Sequence, residues 1–323
     1  MATVAQALTK AIPGLWRKKA NDPNALPAGL GLAPINVMRS NGEYQILTTD
    51  TRFDAQDPAQ NKAGGDHEAY SQGSLQYGSV AVATQRYLSK MYTIPERVAL
   101  ALESDNEVMD LARDAMEACS SQLLDGWNTE FTSAAIAGLT AGAALDLSAP
   151  AATDLVDYFN TEVEGIHLAS GKRPNVLLVN AQTAHALRNM DTVQGATALG
   201  GADGGGGSTF RRTGYAGFGA VEEFFSAMYG LQVLVDDRTF IDATGTPRYA
   251  LYDSGTTATY AMLGYADPRG GCMATFSQKA DVIDFDVQDL VLPNPRGVGV
   301  AADARYKVEV TDPDAGRVIQ LTL

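Results

Sequence analysis

Apolar residues recur along this chain at several spacings, and each spacing predicts a different element. Val4, Leu8, Ile12 and Leu15 repeat every three to four positions, which predicts a short amphipathic helix limited by Pro13. The following NDPNALPAGLGLAP holds three prolines and two glycines and reads as an extended connector, so the first segment is expected to be an arm reaching away from the body. Alternation in GEYQILTTD and SVAVATQRYLSKMYTI predicts two strands. Between them, Thr51 to Ser79 is polar and lacks a core-forming period, which predicts an extended hairpin that folds over another surface.

Ser104 and Glu107 form a capping-box pattern, and Val108, Leu111, Ala115, Cys119, Leu123, Trp127 and Phe131 then recur at helical spacing. The helix is expected to run to about Ala135, roughly 45 Å at 1.5 Å per residue, with a bend at Gly126. A second helix is predicted from Ala151 to about Ala169, ended by Gly171 and Pro174. Strand and helix then alternate: strand Asn175 to Val179, helix Gln182 to Asn189, helix Val221 to Tyr229, strand Leu231 to Val235, then strands Ala250 to Tyr252 and Tyr260 to Leu263. From Lys279 on, DVIDFDVQDLVL and GVGVAADARYKVEVTD alternate around the turn PNPRG and predict two long strands. The ends are β-rich, the middle is mixed, and no repeat of fixed period appears, so the fold class is α+β.

The 323 residues suit one large domain or two modest ones. A net charge of −14 argues against a body that wraps nucleic acid or anionic lipid. That charge is segregated. Residues 1–39 carry Lys10, Arg17, Lys18, Lys19 and Arg39 against Asp22 alone, a net +4. From Asp114 to Gly171 there are nine acids and no lysine or arginine, a face that must meet water or a basic partner. Cys119 and Cys272, 153 positions apart, form neither a disulfide framework nor a CxxC pair. The N-terminus places its cations after its apolar residues, the reverse of a secretory signal. The apolar stretch Ala134 to Leu145 is shorter than the ~18 residues of a membrane span, so the sequence predicts a soluble protein.

Little in the sequence suggests catalysis. His67, His167 and His185 have no paired-ligand spacing, no GxSxG elbow is present, and the acids form no distinctive acid/base pair. Asp281, Asp284, Asp286 and Asp289 lack the glycine and spacing of a calcium loop and read as strand positions facing water. No metal and no cofactor is expected. The segment Gly200 to Gly217 contains Gly204, Gly205, Gly206 and Gly207 followed by Ser208, Thr209 and Phe210, without the lysine of a phosphate loop. Arg211 and Arg212 could still attract an anion, which leaves a soluble α/β enzyme using this loop for a nucleotide as a reading from another class.

The order of segments resembles the major capsid proteins of tailed bacteriophages with the Hong Kong 97-type fold. The resemblance covers most of the chain: the basic arm, the polar hairpin Thr51 to Ser79, the long helix from Ser104, HLASGKRPNVLLVNAQTAHALRNM followed by a glycine-rich loop and LQVLVDD, and the strands DVQDLVLPNPRGVGVAADARYKVEV. It implies an N-terminal arm at 1–45, an extended loop hairpin with flanking strands at 46–95, and a peripheral domain with a long spine helix at 96–145. It further implies a mixed α/β axial domain at 146–275 and peripheral-domain C-terminal strands at 276–323.

The function so implied is structural rather than enzymatic: assembly through hexamers and pentamers into an icosahedral virion capsid around double-stranded DNA, without sequence specificity or a membrane, in the host cytoplasm. A separate scaffolding protein, a portal and a decoration protein are the further expected partners. The alternative within the same fold is an encapsulin-like compartment enclosing protein cargo. Lys10, Arg17, Lys18 and Lys19 would face DNA or a neighbour, Arg52, Lys62, His67 and Tyr70 would lie in the inter-subunit loop, and Gly204 to Gly207 with Arg211 and Arg212 in an axial loop. Some such capsids crosslink a hairpin lysine to an asparagine, for which Lys62 and Asn294 are the candidates here.

Overall fold

A computed structural model of the chain describes residues 32–37, 43–47, 77–95, 105–148, 154–193, 219–242, 244–253, 255–267, 271–277, 283–290 and 297–323. In chain order, strands β1 (Ile35–Val37), β2 (Glu43–Leu47), β3 (Tyr77–Ala81), β4 (Gln85–Leu88) and β5 (Tyr92–Pro95) precede helix α1 (Asp105–Gly138). Strands β6 (Thr140–Ala141) and β7 (Leu145–Asp146), helix α2 (Leu155–Ser170), strand β8 (Val176–Asn180), and helices α3 (Ala181–Arg188) and α4 (Gly219–Tyr229) follow. The remaining strands are β9 (Gln232–Asp236), β10 (Thr239–Ile241), β11 (Pro247–Tyr249), β12 (Tyr252–Asp253), β13 (Ala258–Gly264), β14 (Met273–Ser277), β15 (Ile283–Leu290), β16 (Gly297–Val310) and β17 (Gly316–Thr322). This is an α+β arrangement, as the order of segments predicts.

Helix α1 has 34 residues, about 51 Å at 1.5 Å per residue, and ends at Gly138, three residues past the expected Ala135. Met116, Cys119, Leu123, Trp127, Phe131 and Ala135 form its buried stripe, which lies along β16. Strand β16 alternates in step, with Val300, Ala302, Ala304, Tyr306 and Val308 buried and the residues between them facing outward. The Trp127 indole donates to Thr275 Oγ1 at 3.1 Å, and that hydroxyl donates to the Ala33 carbonyl at 3.1 Å, tying helix, sheet and the start of β1 together. At the helix end a Cβ on Gly138 would come within 2.7 Å of Val310, so glycine permits the close approach.

Strand β16 is also the centre of the first sheet, pairing with β14 and β15 and with β4 and β5. The second sheet runs β6–β17–β13–β8–β9, with β7 and β12 alongside. Two strands were expected after residue 279. A third, β17, follows them and pairs with β13 from Thr259↔Leu321 to Gly264↔Gly316. Residues 276–323 are therefore shared between two sheets.

The second sheet separates two cores. Along β8, Val176 and Leu178 face the core of α1 and β16, whereas Leu177 and Val179 face a second core with Phe159, Ile166, Phe225 and Tyr229. The continuous apolar run NVLLV is the expected signature of a strand covered on both faces. Helix α2 starts at Leu155, later than the predicted Ala151, because the Asp154 carboxylate caps it by accepting from the backbone N–H groups of Val156 and Asp157. Gly171, at φ 72°, ends it as predicted. The predicted strand Ala250 to Tyr252 is broken instead: Leu251 adopts φ 60°, so β11 ends at Tyr249 and β12 begins at Tyr252.

Candidate functional site

The site residues expected from the sequence, Lys10, Arg17, Lys18, Lys19, Arg52, Lys62, His67, Tyr70, Gly204, Gly205, Gly206, Gly207, Arg211 and Arg212, lie outside the described residues, as do Asn294 and Asp281. His167 and His185 are exposed on α2 and α3, and His185 Nδ1 lies 3.2 Å from the side-chain amide of Asn189. Among the described residues no group of three or more His, Cys, Asp and Glu side chains is placed to hold a metal ion. Among them, too, no helix is long and apolar enough to cross a membrane.

The structure instead presents a groove of about 640 Å³ between the outer face of α1 and the segment from β10 to β12. Asp125, Thr129, Thr132 and Ile136 line one wall. At 100° per residue they lie on the side of the helix opposite the Trp127 stripe. Phe240, Leu251, Tyr252 and Asp253 line the other wall, and Arg238 closes one end. Leu251 is 2% exposed and supplies an apolar floor. Its left-handed backbone directs the chain from the β10–β11 hairpin back along the groove.

Charge around the groove is unbalanced. Asp236, buried at the end of β9, accepts two hydrogen bonds from the Arg238 guanidinium, one of them at 2.8 Å from Nε, so this cation is already held. Asp125, 4.0 Å from Arg238, keeps 68% of its side chain exposed. Burial of its inner side pushes its carboxyl pKa up, and Arg238 opposes this. The Asp253 carboxylate accepts from the Gly255 N–H and the Thr256 hydroxyl, which hold its pKa below the ordinary carboxylate range. Both rim acids therefore face solvent without a cation of their own comparable to the Arg238–Asp236 pair.

The β10–β11 hairpin beside the groove belongs to neither large sheet. Its turn is fixed by Asp242, which accepts from the Thr244 hydroxyl and from the backbone N–H groups of Thr244 and Thr246, and pairs with Arg248 at 3.1 Å. The same bonds, the Thr244 hydroxyl first, depress the Asp242 pKa well below the ordinary range. The Arg248 guanidinium lies 4.6 Å from the centre of the Tyr252 ring. Thus held, the hairpin leaves Ile241 73% exposed and Phe240 40% exposed. Sequence reasoning missed this site because no motif marks it; the available signal was the sequence LVDDR, an acid ending a buried strand two residues before an arginine.

No protein-family model and no curated protein sequence matches this chain. Solved structures do. A phage-related protein from Bordetella bronchiseptica aligns over 95% of each chain at 10% identity with a TM-score of 0.56. The capsid of cyanophage P-SCSP1u aligns over 90% of this chain and 86% of its own at 10% identity, with a TM-score of 0.53. A virus-like particle from Pyrococcus furiosus aligns over 94% and 97% at 10% identity, with a TM-score of 0.50.

Proposed function

We propose that this chain, which has the Hong Kong 97-type capsid fold, is a structural subunit that assembles through hexamers and pentamers into an icosahedral shell around double-stranded DNA. The observation that carries the proposal is the extent of the likeness: the cyanophage capsid aligns over 90% of this chain and the phage-related protein over 95%. On this reading α1 with the β15 and β16 strands belongs to a peripheral domain, and the sheet of β8, β9 and β13 with its helices to an axial domain. The hairpin at 51–79 and the loop at 200–217 make contacts between subunits. The surplus of four cations in residues 1–39 supports DNA as the content, because clustered lysine and arginine neutralise phosphate. Scaffolding, portal and decoration proteins are the further partners proposed, and assembly in the host cytoplasm is the setting.

A second reading is a compartment of the same fold enclosing protein; the likeness to a virus-like particle supports a closed particle under either reading. Negative-stain microscopy and size-exclusion chromatography of the full chain, with and without a co-expressed scaffold, test both. Closed shells of uniform size are expected, and nuclease-protected DNA inside them separates the first reading from the second. A compact monomer at high concentration, with scaffold supplied, would refute the shell.

A further inference from the structure

The groove between α1 and the β10–β12 segment has a specific chemistry. Leu251 and Ile136 give it an apolar floor, and Phe240 and Tyr252 add ring surface. Arg238 is held by Asp236 and lies 4.0 Å from Asp125, so the rim carries two anions, Asp125 and Asp253, against one shared cation. An occupant that satisfies both features needs an apolar side chain immediately beside a cation.

Several cations on the described surface are already held by acids of their own chain: Arg86 by Asp303, Lys172 by Asp312, Arg238 by Asp236, Arg248 by Asp242 and Lys307 by Glu130. The cationic excess of the sequence lies in residues 1–39, and there Leu15-Trp16-Arg17-Lys18-Lys19 sets two apolar residues directly against three cations. We infer that Leu15 to Lys19 of a second copy of this chain seats in the groove, with Leu15 and Trp16 on the Leu251 floor and two of the three cations against Asp125 and Asp253, which leaves the third, with Lys10 and Arg39, to meet phosphate. The inference rests on the shell reading, which supplies the second copy.

The place where the arm joins the body points to a second copy. Leu32 and Ala33 are fully buried in the core on the Trp127 side of α1, where the Ala33 carbonyl accepts from Thr275. The groove lies on the opposite face of that helix. Seating within one chain would wrap the proline-bearing residues 20–31 around α1. Those twelve residues extend to about 40 Å at ~3.3 Å each, a length that lets the arm leave its own subunit.

Two measurements test the inference. In the first, chains carrying Lys18→Cys and chains carrying Ser133→Cys, an exposed position on the α1 wall of the groove, are distinguished by tags, co-assembled with scaffold and oxidised; the native Cys119 and Cys272 are buried. Disulfide-linked heterodimers are expected, and raised salt during assembly should reduce them. Shells without such heterodimers, or crosslinks only within a chain bearing both substitutions, overturn the inference. In the second, a labelled peptide of residues 10–21 is titrated against dilute, unassembled full chain. Saturable binding is expected, about tenfold weaker for Asp125→Lys, an exposed position on α1. Shells from the wild type without peptide binding refute the groove assignment alone, whereas peptide binding by a chain that never forms shells refutes the shell reading and leaves the groove standing.

Discussion

The two cores divided by the β8–β13–β17 sheet are built by opposite means. The first is periodic: a helical stripe from Met116 to Ala135 lies against the alternating face of β16, its fully buried rings among the described residues are Trp127, Phe131 and Tyr306, and partly buried Tyr87 stacks on the last at 4.5 Å. The second is a cluster of rings, with Phe159, Phe224, Phe225 and Tyr229 packed at centroid distances from 4.7 to 6.4 Å. Many small contributions in register hold the first, and a few large side chains from two helices hold the second. Their shared sheet makes each core the support of the other.

The largest effect should come from removing the anchor of either core. Trp127→Ala and Phe225→Ala are each expected to cost about 3–5 kcal/mol. Because the sheet joins the cores, thermal unfolding followed by circular dichroism and by calorimetry should still show one transition, with the calorimetric and van't Hoff enthalpies in agreement. Separate transitions in either variant would show two independent units and break the comparison.

A finer test uses neighbours on β8 that face opposite ways. Leu177→Ala should open the second core and Leu178→Ala the first, at about 2–5 kcal/mol each. With the sheet between them, chemical denaturation of the double variant should give their sum to within about 0.5 kcal/mol. A larger discrepancy would mean that the backbone of β8 shifts to serve both cavities.

The two buried tyrosines separate the cores by polar satisfaction. Tyr229 donates to the Val156 carbonyl at 3.1 Å, whereas the Tyr306 hydroxyl has no hydrogen-bond partner among the described residues. Tyr229→Phe should therefore cost about 1 kcal/mol, and Tyr306→Phe should be neutral or slightly stabilising in the same denaturation assay. Burial, helped by the Asp154 charge, raises the Tyr229 pKa to about 12. Its neutral form is favoured in the folded state, so its contribution is complete below the ordinary tyrosine value near 10 and is lost as pH rises toward 12. Tyr229→Phe should flatten the alkaline stability profile over that range.

The smallest effect concerns the hairpin. Asp242→Asn should loosen the β10–β11 turn with little change in global stability, read as faster amide exchange at Thr244 and Thr246. Since the Asp242 pKa is depressed, its contribution should be complete above the ordinary carboxylate value near 4 and be lost as pH falls below it.

Elements whose pattern is local were legible from the sequence. The alternation of β16, the run of β8 and the stripe of α1 each specify their own faces, and the structure places them accordingly. What escaped depends on distant partners. In β17, Val318 and Ile319 are both buried because the strand has a core on each side, so no alternation marked it or its sheet. The groove escaped for a related reason. Asp125 reads as an ordinary exposed helix position, and only the left-handed turn at Leu251, more than a hundred residues later, brings a second wall opposite it.

The position of β17 has a consequence for synthesis. It pairs with β13 along the middle of the sheet and carries β6 and β7 on its other side. Until Gly316 to Thr322 has cleared the ribosome, both cores lack a wall and the edge of β13 stays open. A chain that stops before Gly316 thus lacks the strand that closes both cores, and folding of the two halves waits on the last strand to be made.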